Sequence, residues 1–488
     1  MPSANYNTHP SRSTRRISEM TLAARVKSFL TQPRLILNSL LLFIFSAAWI
    51  RDVLYWLPRD AFEKSLNYWA YTDWLIDYSQ GFIRRGLSGE IWRLVPTAVA
   101  PLEFVAVFSW ILILSVAFGY VRLLARSWKI LPPLTLFGLL FLPSLFFFYI
   151  HDHNAIARKE ILGYVTVLLH LLIVEKSFPL GDGTPHPDGN LRRYVQWLLP
   201  VAVILLPAII LIHEGSFLLF VPLHGMVTLT ILRMNPPRDF KRAALWTGLL
   251  YLPAMIAFGA VYLAGPPSHE TLLGVCEKWN AAGAIREGSC HLPPSRLSGS
   301  TLPASFEPME WPLARAASLT GFFISTHWKQ WILILPTLGV LLWYLVRQTV
   351  YSILRSRSPQ SFSPQSALRY SGLFFWKYFL VPLLLALPIY FTAWDYGRWF
   401  TVASINFSML AVSVNLPCRE FALQKKSADE VSAATDSREH LDHRLIFYGV
   451  SIIICILALV LWLPHYCLFS CEMIRSPLQF FSHTFIAR

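Results

Sequence analysis

The chain has 488 residues, of which 55% are hydrophobic, 15% are aromatic and only 14% are charged. Soluble domains carry charge on about 25% of their residues, so this composition excludes an ordinary soluble protein. The formal net charge is +14, but the basic residues are spread over short segments between apolar runs, which argues against a nucleic-acid partner.

Apolar runs of the length that crosses a bilayer, about 20 residues, recur along the whole chain. They predict an all-α fold, a polytopic transmembrane helical bundle of about eleven spans. The run at 161–174 is short and is either re-entrant or a span extended by its flanks. The runs lie at 35–50, 102–121, 131–150, 161–174, 196–212, 216–232, 244–264, 330–346, 373–392, 400–416 and 445–463.

Basic residues predict how these spans are oriented, because they concentrate in loops on the cytoplasmic side. Arg12, Arg15 and Arg16 precede the first run, so we expect a cytoplasmic N-terminus. We expect an integral protein of the bacterial inner membrane, in contact with membrane lipids, with its active face in the periplasm.

The predicted parts are a disordered basic N-terminus at 1–34, a transmembrane module at 35–265 with its first outer loop at 51–100, a large outer loop at 266–329, C-terminal spans at 330–463 and an outer tail at 464–488.

Four cysteines fall in the predicted outer segments. Cys276 and Cys290 lie in the large outer loop, and Cys467 and Cys471 lie in the outer tail. Two local disulfides, Cys276–Cys290 and Cys467–Cys471, are expected in an oxidising compartment. Free thiols near the membrane surface are an equally good interpretation.

The first outer loop contains the stretch YTDWLIDYSQGFIRRGLSGE, from Tyr71 to Glu90, which is unusually polar for this chain. Asp73 and Asp77 are four residues apart, so they share a face if the segment is helical. With the apolar stripe that precedes them, they predict an interfacial helix along the membrane surface. One carboxylate would then be a general base; the alternative is that both only solvate the outer face.

The glycine-rich half of the same stretch contains Arg84 and Arg85. Glycines allow close backbone approach and arginines bind phosphate oxygens in pairs, so this half suits a donor phosphate. It lacks the Gly-Lys-Ser/Thr of a nucleotide-binding P-loop. The alternative is an interfacial turn whose arginines bind lipid head groups.

A second polar segment, HDHNAIARKE, runs from His151 to Glu160. Asp152 and His153 are residue types that bind a divalent metal ion, but three adjacent residues of a regular helix cannot all reach one ion. A metal site there needs a partner from another loop, and a divalent metal is the only cofactor that the sequence suggests. Arg158 is a further candidate for holding phosphate.

Two short loops add polar groups at the ends of spans. His213 and Glu214 separate two apolar runs, and WDYGRW at 394–399 lies between two others. Charged groups at span boundaries are costly unless they are paired or face water. The predicted topology puts all these segments on the outer side, so we expect one aqueous cavity; the alternative is local pairing within each loop. The substrate-binding candidates are Asp152, His213, Glu214, Asp395 and Arg398.

The many spans, the acidic first outer loop with its interfacial helix and the second outer acidic segment together resemble the GT-C class of membrane glycosyltransferases. The resemblance implies a sugar donor carried on polyprenyl phosphate and a catalytic acidic residue in the first outer loop. By position, Asp73 or Asp77 would be the base and Asp152 the acidic residue of the second loop. Several GT-C families have an adjacent acidic pair, whereas these aspartates are four apart. GFIRRGL, ARKE and DYGRW also resemble a group of bacterial membrane proteins of unassigned activity.

The resulting hypothesis is an inverting transferase that moves a sugar from a polyprenyl-phosphate donor to a glycan or lipid acceptor. Asp77 or Asp73 would take the acceptor proton. The donor phosphate would be held by Arg84, Arg85 and Arg158. Two alternatives remain open. A polysaccharide polymerase or ligase of the O-antigen kind would need arginine contacts from the large outer loop, and a lipid-linked glycan transporter or flippase would need charges within spans and helices broken in a repeated pattern.

Overall fold

The computed structural model describes residues 32–58, 68–94, 101–142, 144–146, 157–179, 188–234, 239–294, 299–357, 364–392 and 396–421. Within these ranges all regular structure is helical and there is no strand. The all-α class predicted from the apolar runs is therefore confirmed.

The helices differ widely in length, from single turns to 45 residues in one helix. Short 3₁₀ or π turns, at Asp73–Leu75, Val201–Leu205, Glu307–Glu310 and Trp376–Leu380, adjoin or connect some of them. In chain order the helices are α1 (Pro33–Pro58), α2 (Tyr68–Thr72), α3 (Gly86–Arg93), α4 (Pro101–Leu124), α5 (Pro133–Phe141), α6 (Glu160–Ser177), α7 (Asp188–Pro200), α8 (Leu206–Ile212), α9 (Gly215–Met234), α10 (Phe240–Ala264), α11 (His269–Ala281), α12 (Leu313–Arg357), α13 (Pro364–Phe375), α14 (Val381–Leu385), α15 (Leu387–Thr392) and α16 (Tyr396–Val412).

Six helices in the described part of the chain are long and apolar enough to cross a membrane. A seventh is added if Arg398–Val412 and Asn415–Phe421, which are bent by 69° relative to each other, form one span. The total of eleven spans and the cytoplasmic N-terminus stay predictions. The six are Pro33–Tyr55 in α1, α4, the continuous run Asn190–Ile212 through α7 and α8, α9, α10 and Leu335–Arg357 in α12.

Four of the predicted runs do not appear as one long helix in the described residues. One of them, 400–416, contains the bend between Arg398–Val412 and Asn415–Phe421. The run at 131–150 contains α5, which has nine residues and is followed by an extended Leu142, as expected before a proline. The run at 373–392 is divided among α13, a π turn, α14 and α15. Prolines explain the division because they lack the backbone N–H that continues a helix. The run at 445–463 lies outside the described residues.

The loop module, which we define as α2, α3, the start of α4, α11 and the segments 282–294 and 299–310, has its own apolar core. Trp74 is buried at its centre, with its ring 6.5 Å from that of Trp92. The Trp74 indole N–H donates to the carbonyl of Ala157 at 2.7 Å, which ties the turn after α2 to the chain entering α6. The predicted Cys276–Cys290 disulfide is present in this module; Cys467 and Cys471 lie outside the described residues.

The predicted interfacial helix carrying Asp73 and Asp77 on one face is wrong. Helix α2 ends at Thr72, a 3₁₀ turn covers Asp73–Leu75, and Ile76 is extended with ψ 121°. The cause is a tertiary contact, because the N–H of Gly89 in α3 donates to the Ile76 carbonyl at 3.0 Å. A Cβ at position 89 would collide with that carbonyl, so α3 can approach the extended backbone only through a glycine.

Candidate functional site

Charged side chains from four segments meet at one end of the bundle. That end is built from the start of α6, the α8–α9 junction, the start of α16 and the loop between α2 and α3. Ion pairs and electrostatic interactions link these side chains into one group. We call the group the charged cluster, and its members are Asp73, Arg85, Lys159, Glu160, His213, Glu214 and Arg398.

Asp73 lies between two cations. Its Oδ1 is 3.6 Å from Arg85 Nη1, and its Oδ2 is 3.2 Å from Lys159 Nζ. Lys159 Nζ also donates to the Asp73 carbonyl at 2.8 Å. Burial tends to raise the pKa of Asp73, but the neighbouring Lys159 and Arg85 outweigh burial and hold it below its ordinary value. Asp73 is therefore an ionised carboxylate at neutral pH.

Arg85 joins Asp73 to Glu214. Its Nε and Nη2 donate to the two carboxylate oxygens of Glu214 at 2.8 and 2.9 Å, a bidentate geometry that fixes both side chains. Burial alone raises the pKa of Glu214, but Arg85 outweighs it and the pKa lies well below its usual range. Arg85 has φ 65°, the left-handed region. This conformation costs an arginine about 1–2 kcal/mol, and strain of this kind is concentrated at functional sites.

Glu160 is the deepest acid of the cluster. One carboxylate oxygen lies 3.3 Å from His213 Nε2 and 3.4 Å from Arg398 Nε. Burial lowers the pKa of His213 to about 4, although Glu160 acts in the opposite direction. His213 is therefore neutral at physiological pH, with its Nε2 close to the Glu160 carboxylate. The Arg398 guanidinium lies 3.9 Å above the Trp399 ring, which adds a cation–π contact.

The cluster has an accessible layer and a buried layer. The side chains of Asp73, Arg85 and Glu214 are 14%, 21% and 22% exposed, whereas those of Lys159 and Glu160 are each 1% exposed. A ligand that approaches from outside therefore meets the first three side chains. The buried pair supplies charges that hold this outer layer in place.

Two further arginines increase the positive charge of this region. Arg84 interacts electrostatically with Glu214, and Arg158 with Glu160. In the described part of the chain, five cationic side chains thus surround three carboxylates. The excess of positive charge suits an anionic ligand.

Arg84 also anchors the loop module. Its Nη2 donates to the carbonyls of Pro308 at 2.7 Å and Met309 at 2.8 Å. The predicted arginine pair is therefore divided, because Arg85 faces the cluster while Arg84 holds the segment that leads into α12.

Asp77 has other partners than Asp73. It is fully buried, accepts a hydrogen bond from the Ser79 N–H at 2.8 Å and pairs with Lys278 of α11. The structure thus separates the two aspartates that the sequence treated as alternatives. Only Asp73 contacts the charged cluster in the part of the chain that the structure describes.

The remaining candidates lie outside the described residues. These are Asp152 and His153, the metal candidates, and Asp395 of the last loop. Among the residues that are described, no three His, Cys, Asp or Glu side chains are grouped so that they could hold a metal ion.

Lys159 and Glu160 were not among the predicted site residues, although they contact Asp73, His213 and Arg398. The signal was present in ARKE, where a Lys-Glu pair stands directly before an apolar run. An acidic first residue is typical of a helix N-terminus. That role gave no indication that Glu160 also pairs with two other helices.

Comparisons with known protein families, with curated proteins and with solved structures find no match to this chain. Its class therefore follows from the fold alone. It is an all-helical protein with several helices suited to a membrane, and it gathers charged groups at one end of its bundle.

Proposed function

We propose that this protein is a membrane glycosyltransferase of the GT-C kind that uses a polyprenyl-phosphate sugar donor at the periplasmic face. The observation that carries the proposal is the position of Asp73. It is an ionised, partly accessible carboxylate in the turn that follows α2, held between Arg85 and Lys159 in a cluster with excess positive charge.

Asp73 is the proposed general base. A base must be ionised and within reach of the acceptor hydroxyl, and Asp73 is both ionised and partly exposed. The cations beside it make it a weak base. Weak basicity suits glycosyl transfer, because the transition state resembles an oxocarbenium ion and the acceptor proton leaves late.

Arg85, with Arg84 and Arg158 nearby, is proposed to bind the donor phosphate. Arginine is well suited to this role, since its planar fork contacts two phosphate oxygens at once. Arg85 already holds Glu214 through Nε and one Nη2 hydrogen, so its guanidinium is oriented before a donor arrives, and a phosphate would be bound by its remaining Nη hydrogens. An oriented cation stabilises developing negative charge without reorganisation.

The reaction is a single displacement at the anomeric carbon. The acceptor oxygen forms a bond to that carbon while the bond from carbon to the phosphate oxygen breaks. The acceptor proton passes to Asp73, and polyprenyl phosphate leaves with its electron pair on the phosphate. The arginines would stabilise this leaving group, while Glu214 and neutral His213 would orient the sugar or the acceptor.

Asp73→Asn tests the proposal, with Asp77→Asn as the matched control. Loss of the base should lower the rate of sugar transfer from polyprenyl-phosphate donors in membranes by about a hundredfold or more. Asp77→Asn should stay near the wild-type rate, because Asp77 faces Lys278 instead of the cluster. Full activity of a folded Asp73→Asn protein would refute Asp73 as the base.

A further inference from the structure

A chain of hydrogen bonds crosses the interior of the bundle, away from the charged cluster. Every member is buried, and the chain links α6, α7, α9 and α10. We call it the histidine chain. Its members, in order of contact, are Thr166, His224, His170, Tyr194, Thr228 and Tyr251.

The direction of the chain is set at Thr166. Its hydroxyl is 2.7 Å from the carbonyl oxygen of Gly163 and 3.1 Å from His224 Nε2. A carbonyl can only accept, so the single hydroxyl proton of Thr166 points to Gly163. His224 must therefore carry its proton on Nε2 and donate it to the Thr166 oxygen.

The two histidine tautomers follow from this direction. A neutral imidazole has one proton, so His224 Nδ1 is an acceptor. It lies 2.9 Å from His170 Nδ1, which must then be the donor. His170 Nε2 is consequently an acceptor and lies 2.7 Å from the hydroxyl of Tyr194, which donates to it.

The hydroxyls of Thr228 and Tyr251 donate in the same direction along the histidine chain. Because the Tyr194 proton is used on His170, the 3.2 Å contact between Tyr194 and Thr228 needs the Thr228 proton. Tyr251 then donates to Thr228 at 2.8 Å. Every contact in the chain is satisfied by this one arrangement, which ends on a backbone carbonyl. A carbonyl cannot pass a proton on, so the chain has the character of a fixed link, not of a proton path.

The two histidines of the histidine chain lie at equal distances from the charged cluster along α6 and α9, two helices that form the site. His170 is ten residues after Glu160 on α6, and His224 is ten residues after Glu214, which directly precedes α9. Ten residues of helix span about 15 Å. Contact between the two histidines thus sets how far α6 and α9 are displaced along each other, and with it the meeting of Glu160 with His213 at their outer ends.

A close contact between α6 and α9, located between the charged cluster and the histidine chain, supports the same register of the two helices. Gly163 of α6 packs against the ring of Phe220 of α9, and a Cβ at position 163 would collide with that ring. Tyr164 meets the same ring edge-on at 5.8 Å. The two helices are therefore in tight contact along the stretch that separates the link from the cluster.

We propose that His170 and His224 are positioning residues, which fix the register of α6 against α9 and so place Lys159 and Glu160 in the charged cluster. A role of these two histidines in catalysis rests on the proposed transferase function. The hydrogen-bond direction and the two tautomers do not depend on that function.

Nitrogen NMR on the full-length protein in lipid bilayers, with histidine labelled by ¹⁵N, tests the direction. The expected result is a protonated Nδ1 on His170 and a protonated Nε2 on His224, with signals assigned by His170→Asn and His224→Gln. The reversed pair of tautomers would overturn the hydrogen-bond direction derived above, whatever reaction the protein catalyses.

Two tyrosine variants test the consequence for the site. Tyr194→Phe removes both the donor to His170 and the acceptor of the Thr228 proton, which leaves His170 Nε2 without a partner. Tyr251→Phe removes only the donor to Thr228, whose own hydrogen bond to Tyr194 remains. Both remove one buried hydroxyl, so each controls for the other. Tyr194→Phe should lower kcat for transfer by about tenfold with KM nearly unchanged, because the catalytic groups shift. Tyr251→Phe should stay within about twofold of the wild type.

The outcomes separate this inference from the proposed function. Equal activities for the two tyrosine variants, in a protein whose Asp73→Asn variant is inactive, would overturn the positioning role and leave the transferase proposal intact. A fully active Asp73→Asn variant would remove the transferase proposal, and the tautomers would still decide the direction of the chain. If Tyr194→Phe does not fold, the activities of His170→Asn and His224→Gln are decisive, because full transfer activity of both folded variants would overturn the positioning role.

Discussion

The charged cluster and the histidine chain both place polar side chains within a helical bundle, but they stabilise them in different ways. The cluster lies at the helix ends and combines ionised groups whose outer members remain 14–22% exposed. The histidine chain lies within the helices and consists of neutral groups that are buried and mutually hydrogen-bonded. Burying a charge costs far more than burying a satisfied neutral group. Ionised side chains that take part in chemistry are therefore expected at the helix ends, and neutral side chains that hold the helices together are expected in the interior.

The largest expected effect follows from neutralising the deepest charge of the cluster. Glu160→Gln removes the carboxylate that lies 3.4 Å from the buried Arg398. Removing one member of a buried ion pair costs about 3–5 kcal/mol of unfolding free energy. Denaturant unfolding in detergent would measure it.

Thr166→Val is the matching change in the histidine chain. It removes a neutral acceptor and should cost about 1–3 kcal/mol in the same measurement. A cost for Thr166→Val equal to or larger than that for Glu160→Gln would break the contrast between the two regions.

A smaller effect is expected in the accessible layer. Arg85→Lys keeps the positive charge but loses the two parallel hydrogen bonds to Glu214. Lysine cannot reproduce the planar fork, so we expect donor KM to rise by about tenfold with a small change in stability. Steady-state kinetics with varied donor would show it. An unchanged KM would mean that the orientation of Arg85 is unimportant for the donor.

The smallest effect at neutral pH concerns the titration of His213, which changes the stability only as the pH falls below 6.5. Burial lowers the pKa of His213 from 6.5 to about 4, so between these values the unfolded chain binds more protons than the folded protein does. The contribution of His213 to stability is thus present above pH 6.5 and is lost as the pH falls towards 4.

His213→Gln keeps an N–H donor near Glu160 and does not titrate. It should therefore flatten the loss of thermal stability between pH 6.5 and 4. The check is the melting temperature of both proteins across that range. Parallel curves for the two proteins would show that His213 is not held neutral by its surroundings.

Much of the architecture could be predicted from the sequence, because apolar runs and short polar loops report directly on membrane helices. The segments that contain Arg85, His213 and Arg398 were singled out for the same reason, since charges at helix ends are conspicuous in a chain this apolar. Loops at the same end of a helical bundle lie close together, so their charged side chains can contact each other.

The partners within the cluster could not be predicted in the same way. The separation of Asp73 from Asp77 depends on a contact of Gly89 with the Ile76 carbonyl, which ends the helix early. Local spacing gives no information on such a contact. The link between His170 and His224 was also missed, because two histidines in apolar runs resemble ordinary packing residues until the fold brings them within 2.9 Å.

Chemical rescue of Asp73→Ala by formate is the most direct test of the central claim, that the Asp73 carboxylate accepts the acceptor proton. We expect the variant to lose transfer activity and to regain part of it as formate is added, while Asp77→Ala stays active and insensitive to formate. The claim would be contradicted if Asp73→Ala were fully active without formate, or if Asp77→Ala were the variant that formate rescues.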